Sequence, residues 1–292
     1  MATRPEPDGG RWRVRTVRTA PCRPRRTLTW VAVPVAALAI VGGSCRSGSR
    51  SRPTIAPVGS APSPASRGLD RPSTTQSRPV PALPVTSGVS VLGRPIVVVE
   101  RGDPTASRKV VVVGCIHGDE PAGISVAREL ESQTPPAGVH LYIIEDLNPD
   151  GVAAGTRQNA HGVDLNRNFP LHWARLGHRG DQQYSGPAAL SEPESRLAYE
   201  LITRVQPALT IWFHQPLALV DDSGGDARLS RRYAAAVGLP FRFLPRYPGS
   251  AASWQDDSLP HSTAFVVELP SGALDAEAVR RYADGVRAVS TQ

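Results

Sequence analysis

The sequence predicts an α/β domain, a sheet covered by helices on both faces, from about residue 91 to residue 292. Short β-branched runs with the character of buried strands recur through this stretch. Segments with helical spacing separate them, the alternation expected of a sheet crossed by helices. Three of the strand-like runs lead into a His or a Glu, and open α/β sheets bind ligands at the carboxyl ends of their strands.

The elements follow in order. "PIVVV" (95–99) and "KVVVVG" (109–114) are buried strands, and "PAGISVARELES" (121–132) has the apolar spacing of a helix. "VHLYII" (139–144) is a strand. "LSEPESRLAYELITRV" (190–205) is a helix with Ser191 and Glu194 at capping-box spacing. "ALTIWF" (208–213) is a strand, "DARLSRRYAAAVG" (226–238) a helix ending at Gly238, "TAFVVE" (263–268) a strand and "LDAEAVRRYADGVRAV" (274–289) the last helix. The segment "NPDGVAAGTRQNAHGVDLNRNFP" (148–170) has turn signals and little apolar period. Loops of that length in a compact domain tend to carry function.

The first 90 residues differ in kind. They hold 14 Arg and 3 acidic residues, a net of +11, whereas residues 91–292 hold 19 basic and 23 acidic residues, a net of −4. The overall charge of +7 therefore belongs to the tail, and the part able to fold gives no support to a nucleic-acid partner. Residues 1–44 read as an export signal or membrane anchor: a basic stretch, then 16 uncharged residues from Leu28 to Gly43. That run is shorter than the roughly 20 residues of a bilayer span. Arg25-Arg26 resembles a twin-arginine signal, and "VGGSC" a lipoprotein processing site with Cys45 as the lipidated residue, though Gly42 departs from that pattern. Residues 45–90 are rich in Pro, Ser and Arg and read as a disordered linker. The expectation is an exported, extracellular or envelope-associated protein that touches membrane only through its N-terminal segment. Of three cysteines only Cys115 lies in the domain, so no disulfide forms there, and its place near a strand end suits a small buried residue. About 200 residues suffice for a core without disulfides.

The candidate site gathers His117, Glu120, His214 and Glu268. "VVVVGCIH" leads to His117, "LTIWFH" to His214 and "AFVVE" to Glu268, with Glu120 three residues after His117. Two His and one carboxylate form a set that zinc uses at hydrolytic sites, leaving a fourth position open. The order HxxE…H excludes the HExxH helix motif. Glu268 then remains as a separate carboxylate for proton transfer.

The stretches "SVLGRPI" (90–96), "GCIHGDEPAG" (114–123), "NPDG" (148–151), "TRQNAHGVDLNRNFP" (156–170), "YSGPAALSEPES" (184–195), "FHQPL" (213–217), "YPGSAASW" (247–254) and "VVELP" (266–270) together resemble the zinc carboxypeptidase family, in particular its small bacterial branch of murein peptide amidases. The resemblance implies a single mixed, mostly parallel sheet with helices on both faces. It implies one Zn2+ per chain held by His117, Glu120 and His214, with Glu268 as general base and then acid. Arg157 would polarise the scissile carbonyl, and Asn166 and Arg167 would hold a substrate carboxylate. Tyr247 falls where the family often has a Tyr over the substrate, though "YPGS" departs from the usual surroundings. His161, His172, His178 and His261 match no role and are expected to be surface or structural. The long insertions of the large carboxypeptidases are absent, so the expected site is open.

The implied function is zinc-dependent hydrolysis of an amide next to a carboxylate-bearing leaving residue. The resemblance points to the γ-D-glutamyl–diaminopimelate bond of cell-wall peptides, with a peptide or peptidoglycan-derived substrate and a monomeric enzyme. The alternatives are a general metallocarboxypeptidase and an inactive peptidoglycan-binding module.

Overall fold

A computed structural model of the chain describes residues 86–221 and 223–292. The export-signal reading of residues 1–44 and the linker reading up to residue 85 lie outside them. Eight strands form one sheet: β1 (Thr86–Val89), β2 (Pro95–Gly102), β3 (Arg108–Val113), β4 (Val139–Ile144), β5 (Leu209–His214), β6 (Leu217–Asp221), β7 (Phe241–Arg242) and β8 (Thr263–Pro270). Their order is β1-β2-β4-β3-β5-β8-β6-β7. The centre, β4-β3-β5-β8, is parallel. β1, β2 and β6 join antiparallel, and β7 is parallel to β6. This is the mixed, mostly parallel sheet expected.

The helices are α1 (Ala122–Ser132), α2 (Pro149–Ala154), α3 (Pro193–Val205), α4 (Ala227–Val237), α5 (Ala251–Ser258) and α6 (Ala276–Ser290). Alternation along the central strands divides the core in two. Val110 and Val112 of β3 pack with Val126 and Leu130 of α1, Tyr233 of α4 and Val286 of α6. Val111 and Val113 face the other way, with Leu201 and Ile202 of α3 and Trp254 of α5. β4 and β5 are buried at every position because both faces are covered. No helix among the described residues is long and apolar enough to cross a membrane.

Three local readings change. The domain begins by Thr86, inside the segment read as linker, because "TSGV" pairs with β2 despite its lack of hydrophobic pattern. β6 and β7 were not anticipated: each is short, and β6 starts on exposed Leu217. The capping box at α3 does not form. Glu192 occupies the N-cap without a side-chain bond, and Pro193 needs no N–H partner in the first turn. Ser191 donates instead to Glu192 Oε1 at 2.6 Å, and Glu194 accepts from the Val91 amide and from Asn159.

Candidate active site

The sheet delivers its polar residues to one edge. β3 ends at Val113, and Gly114 to Ile116 carry the chain over β4, held by Gly114 N–H to Ile144 O and Leu147 N–H to Cys115 O, each 2.8 Å. His117 thus lies four residues beyond its strand rather than closing it. A turn with Glu120 N–H on His117 O at 3.0 Å brings Glu120 back over His117. α1 then begins so close to the sheet that a Cβ on Gly123 would strike the carbonyl of Gly114 and the side chain of Phe213. The glycine of "PAG" therefore allows α1 to hold Glu120 in place. His214 is the last residue of β5 and pairs in register with Glu268 of β8, so both side chains leave the same face of the sheet.

His117, Glu120 and His214 converge. Oε2 of Glu120 lies 3.0 Å from Nδ1 of His117 and 2.9 Å from Nδ1 of His214, and also accepts from the Gln215 amide at 3.1 Å. The three donor atoms lie within 4.8 Å of one another. Nδ1 of His117 is buried and makes no well-directed hydrogen bond despite its closeness to Glu120. A buried polar atom without a partner, aimed at two further donors of zinc-compatible type, fits a metal ligand set.

The carboxylate that holds the other side of His117 is Asp164. Its Oδ1 lies 3.0 Å from His117 Nε2, and its Oδ2 accepts from Arg157 Nε at 2.9 Å. Asp164 is fully buried. A carboxylate on the far nitrogen fixes the ring and leaves Nδ1 for the metal. The sequence signal was present in "GVDLN", a lone acid inside the functional loop, but nothing local joins it to His117, 47 residues away. Gln215 was missed likewise. Its Oε1 accepts from the Ala122 amide at the start of α1, and its Nε2 donates to the carbonyls of Pro270 and Gly272. It thereby ties the Glu120 segment to the strand of Glu268.

Burial alone would raise the pKa of Glu120 and Asp164. His117 and His214 overcome it at Glu120 and hold that carboxyl far below its usual range. His117, Arg157 and Arg167 do the same at Asp164. Burial lowers the His117 pKa, but Asp164 and Glu120 outweigh it and leave the imidazole with a raised affinity for a proton. The pull that favours a proton there also favours a bound cation. Asp164→Asn is accordingly expected to weaken metal binding about 10–100-fold, the usual cost of losing an outer partner. Chelator competition measures it, and unchanged affinity would remove Asp164 from this role.

A cleft of about 860 Å3 opens over the set and is also lined by Arg157, Asn166, Arg167, Tyr247 and Glu268. All eight residues expected at the site thus meet in one cavity. Arg157 donates from Nη1 to Glu120 Oε1 at 3.0 Å as well as to Asp164. Arg167 is nearly buried; its Nη1 donates to Asn166 O at 2.8 Å, and its guanidinium lies 4.2 Å from the Tyr247 ring centroid. Gly249, at φ +72°, lets the Tyr247 loop close against the Arg167 carbonyl, where a Cβ would collide. Asn166 accepts the Ala251 amide on Oδ1 at 2.9 Å. His161, His172, His178 and His261 are exposed, and Cys115 is buried.

Comparison with known proteins agrees with this geometry. The zinc carboxypeptidase family profile matches residues 74–220. The murein peptide amidase A of Escherichia coli K12 is 34% identical over 210 residues, covering 67% of this chain and 84% of that protein. The crystal structure of murein-tripeptide amidase MpaA from Escherichia coli O157 superposes with a TM-score of 0.60 at 28% identity, over 76% of this chain and 97% of that one. Carboxypeptidase A from Helicoverpa armigera shares the fold, with a TM-score of 0.60 at 20% identity over 71% of this chain and 68% of its own. The chain belongs to the zinc carboxypeptidase family and is a metallopeptidase of zinc-dependent amide hydrolysis.

Proposed function

We propose that the chain cleaves the γ-D-glutamyl–diaminopimelate bond of cell-wall peptides, with one zinc ion held by His117, Glu120 and His214. The observation that carries the reading is Arg167. It is 5% exposed, lines the cleft, and has no ion-pair partner among the described residues. A buried charge without a partner is costly and calls for one. Here burial pulls the guanidinium's pKa down, with Asp164 partly offsetting it. A carboxylate on the leaving residue supplies the missing partner through a forked contact. Similarity to murein peptide amidases supports the choice of diaminopimelate as that residue.

Zinc at this set supplies Lewis acidity and makes a water acidic near neutral pH. The chain's own groups do the rest. Arg167 and Asn166 anchor the leaving residue by its carboxylate. Arg157 stands beside Glu120 and presents positive charge where the carbonyl oxygen gains negative charge. Glu268, adjacent to His214 across the β5–β8 pair, takes a proton from the attacking water and returns it to the departing amine. Tyr247 stacks on Arg167 and keeps the anchoring group in place. The tail's composition favours an envelope-facing enzyme; recovery of the protein only from the cytoplasm would contradict that placement.

A double comparison tests the anchor. Arg167→Ala is expected to lower kcat/KM about 10²-fold or more on a substrate with a free carboxylate on the leaving residue, the cost of breaking a buried charged pair. On the same substrate with that carboxylate amidated, wild type should already be poor and the mutation should cost far less. Equal losses on both would show that Arg167 supports the loop and not the substrate.

A further inference from the structure

We propose that His161 is a positioning residue for Arg157: its clasp on Glu192 fixes the turn from Asn159 to Val163, and that turn sets where the Arg157 guanidinium stands beside Glu120. This rests on the reading of Arg157 as the group that meets the carbonyl oxygen.

Asn159 closes the turn. Its backbone N–H donates to Val163 O at 3.0 Å, and its carbonyl accepts from the Gly162 N–H at 2.9 Å. Its Oδ1 accepts the amides of His161 and Val163, each at 3.1 Å. Gly162, at φ +77°, takes the left-handed conformation the turn requires. Arg157 lies just before this turn and Asp164 directly after it, and the two side chains are joined at 2.9 Å. The two legs are held differently. Asp164 is fully buried, and its own amide donates to Tyr184 O at 2.8 Å. The Arg157 carbonyl accepts from Asn148 Nδ2 at 3.2 Å, while its side chain borders the open cleft.

The turn rests on two buried carboxylates at the start of α3. Asn159 Nδ2 donates to Glu192 Oε2 at 2.8 Å and to Glu194 Oε2 at 3.0 Å, so one amide group faces two acids. Burial, and in addition the Glu192 charge, raise the Glu194 pKa against the hydrogen bonds it accepts. Ser191 gives Glu192 Oε1 a neutral hydroxyl. His161 is the one side chain among the described residues that can bring positive charge within ion-pair distance of Glu192, with Nδ1 2.7 Å from Oε2. It is half exposed and Glu192 is buried, so the imidazole covers the acid and ties the tip of the turn to α3. Without it the buried carboxylate keeps neutral donors alone and is left under-satisfied. Asn159 would then carry the tether to both acids while its Oδ1 also holds the turn closed, and the less firmly held Arg157 leg would shift.

The test is a cycle of four enzymes: wild type, His161→Ala, Arg157→Ala and the double variant, each at saturating zinc. The substrate is whichever wild type cleaves faster, the γ-D-glutamyl tripeptide or an ordinary C-terminal peptide, so the cycle stands apart from the γ-glutamyl assignment. His161→Ala is expected to lower kcat about 10-fold or more with KM nearly unchanged, since displacing a reacting-site group by about 1 Å can cost about 10²-fold. In the Arg157→Ala background the same substitution should cost almost nothing, because residues that act through one another are not additive. Zinc affinity should hold, because Asp164 keeps its own anchors. His161→Asn, which keeps an N–H near the place of Nδ1, should retain most of the wild-type kcat. A loss of equal size in both backgrounds, no loss in either, a fall in zinc affinity, loss of the fold, or an Asn variant as slow as the Ala variant overturns this proposal and leaves the role of Arg157 intact. A negligible loss from Arg157→Ala itself overturns the reading of Arg157 and this proposal with it.

Discussion

Glu268→Gln is expected to slow turnover about 10²–10⁴-fold, the range for a lost general acid–base group, while zinc content and fold stay unchanged. The amide keeps the shape and the hydrogen-bonding oxygen of the carboxylate but cannot accept the proton. Position makes the prediction sharp: Glu268 lies beside His214 across paired strands, yet stands outside the cluster of converging donors. Among the described residues its carboxylate accepts one hydrogen bond, a long one of 3.4 Å from the Leu217 amide to Oε2, so little structure depends on its charge. Single-turnover rates and metal analysis on the same preparation separate the two effects. Near-full activity in the variant would remove Glu268 from the mechanism.

His214→Ala should lose zinc outright at concentrations where wild type is saturated. Three protein ligands is what such a site ordinarily provides, and two leave the ion mostly to water. The loss should exceed the roughly 10–100-fold expected from Asp164→Asn, because an outer partner only orients a ligand. The variant also takes one of three neighbours from Oε2 of Glu120, leaving the Gln215 amide and His117. A fold check by circular dichroism accompanies the measurement. Stoichiometric zinc retained by the variant against a moderate chelator would show that His214 is not a ligand.

What the sequence made legible and what it hid divide along physical lines. The central strands were readable because burial on both faces leaves continuous β-branched runs such as "KVVVV". His214 and Glu268 were readable because they terminate or nearly terminate such runs. β1 was hidden because an edge strand of four residues needs no hydrophobic period once β2 supplies its partner. The capping box was misread because Glu194, nominally free to cap, is drawn into bonds with Val91 and Asn159 from distant segments. Asp164 and Gln215 share that cause. Their roles lie in contacts 47 and 93 residues apart along the chain, which local pattern does not encode. His117, Glu120 and His214 stood out only as a combination, because two His and one carboxylate match the set zinc uses at hydrolytic sites. The resemblance already implied Arg167 as a holder of a substrate carboxylate; the structure adds that it is buried and has no ion-pair partner among the described residues.

The most direct test of the central claim is product analysis. The zinc-loaded full chain is incubated with L-Ala-γ-D-Glu-diaminopimelate and, separately, with an ordinary peptide bearing a free C-terminus, and products are read by mass. The expected result is free diaminopimelate and the L-Ala-D-Glu dipeptide from the first, with the second intact or slowly trimmed. An intact tripeptide beside rapid release of the ordinary C-terminal residue would instead identify a general carboxypeptidase, and no product from either would leave a zinc-binding module without amidase activity.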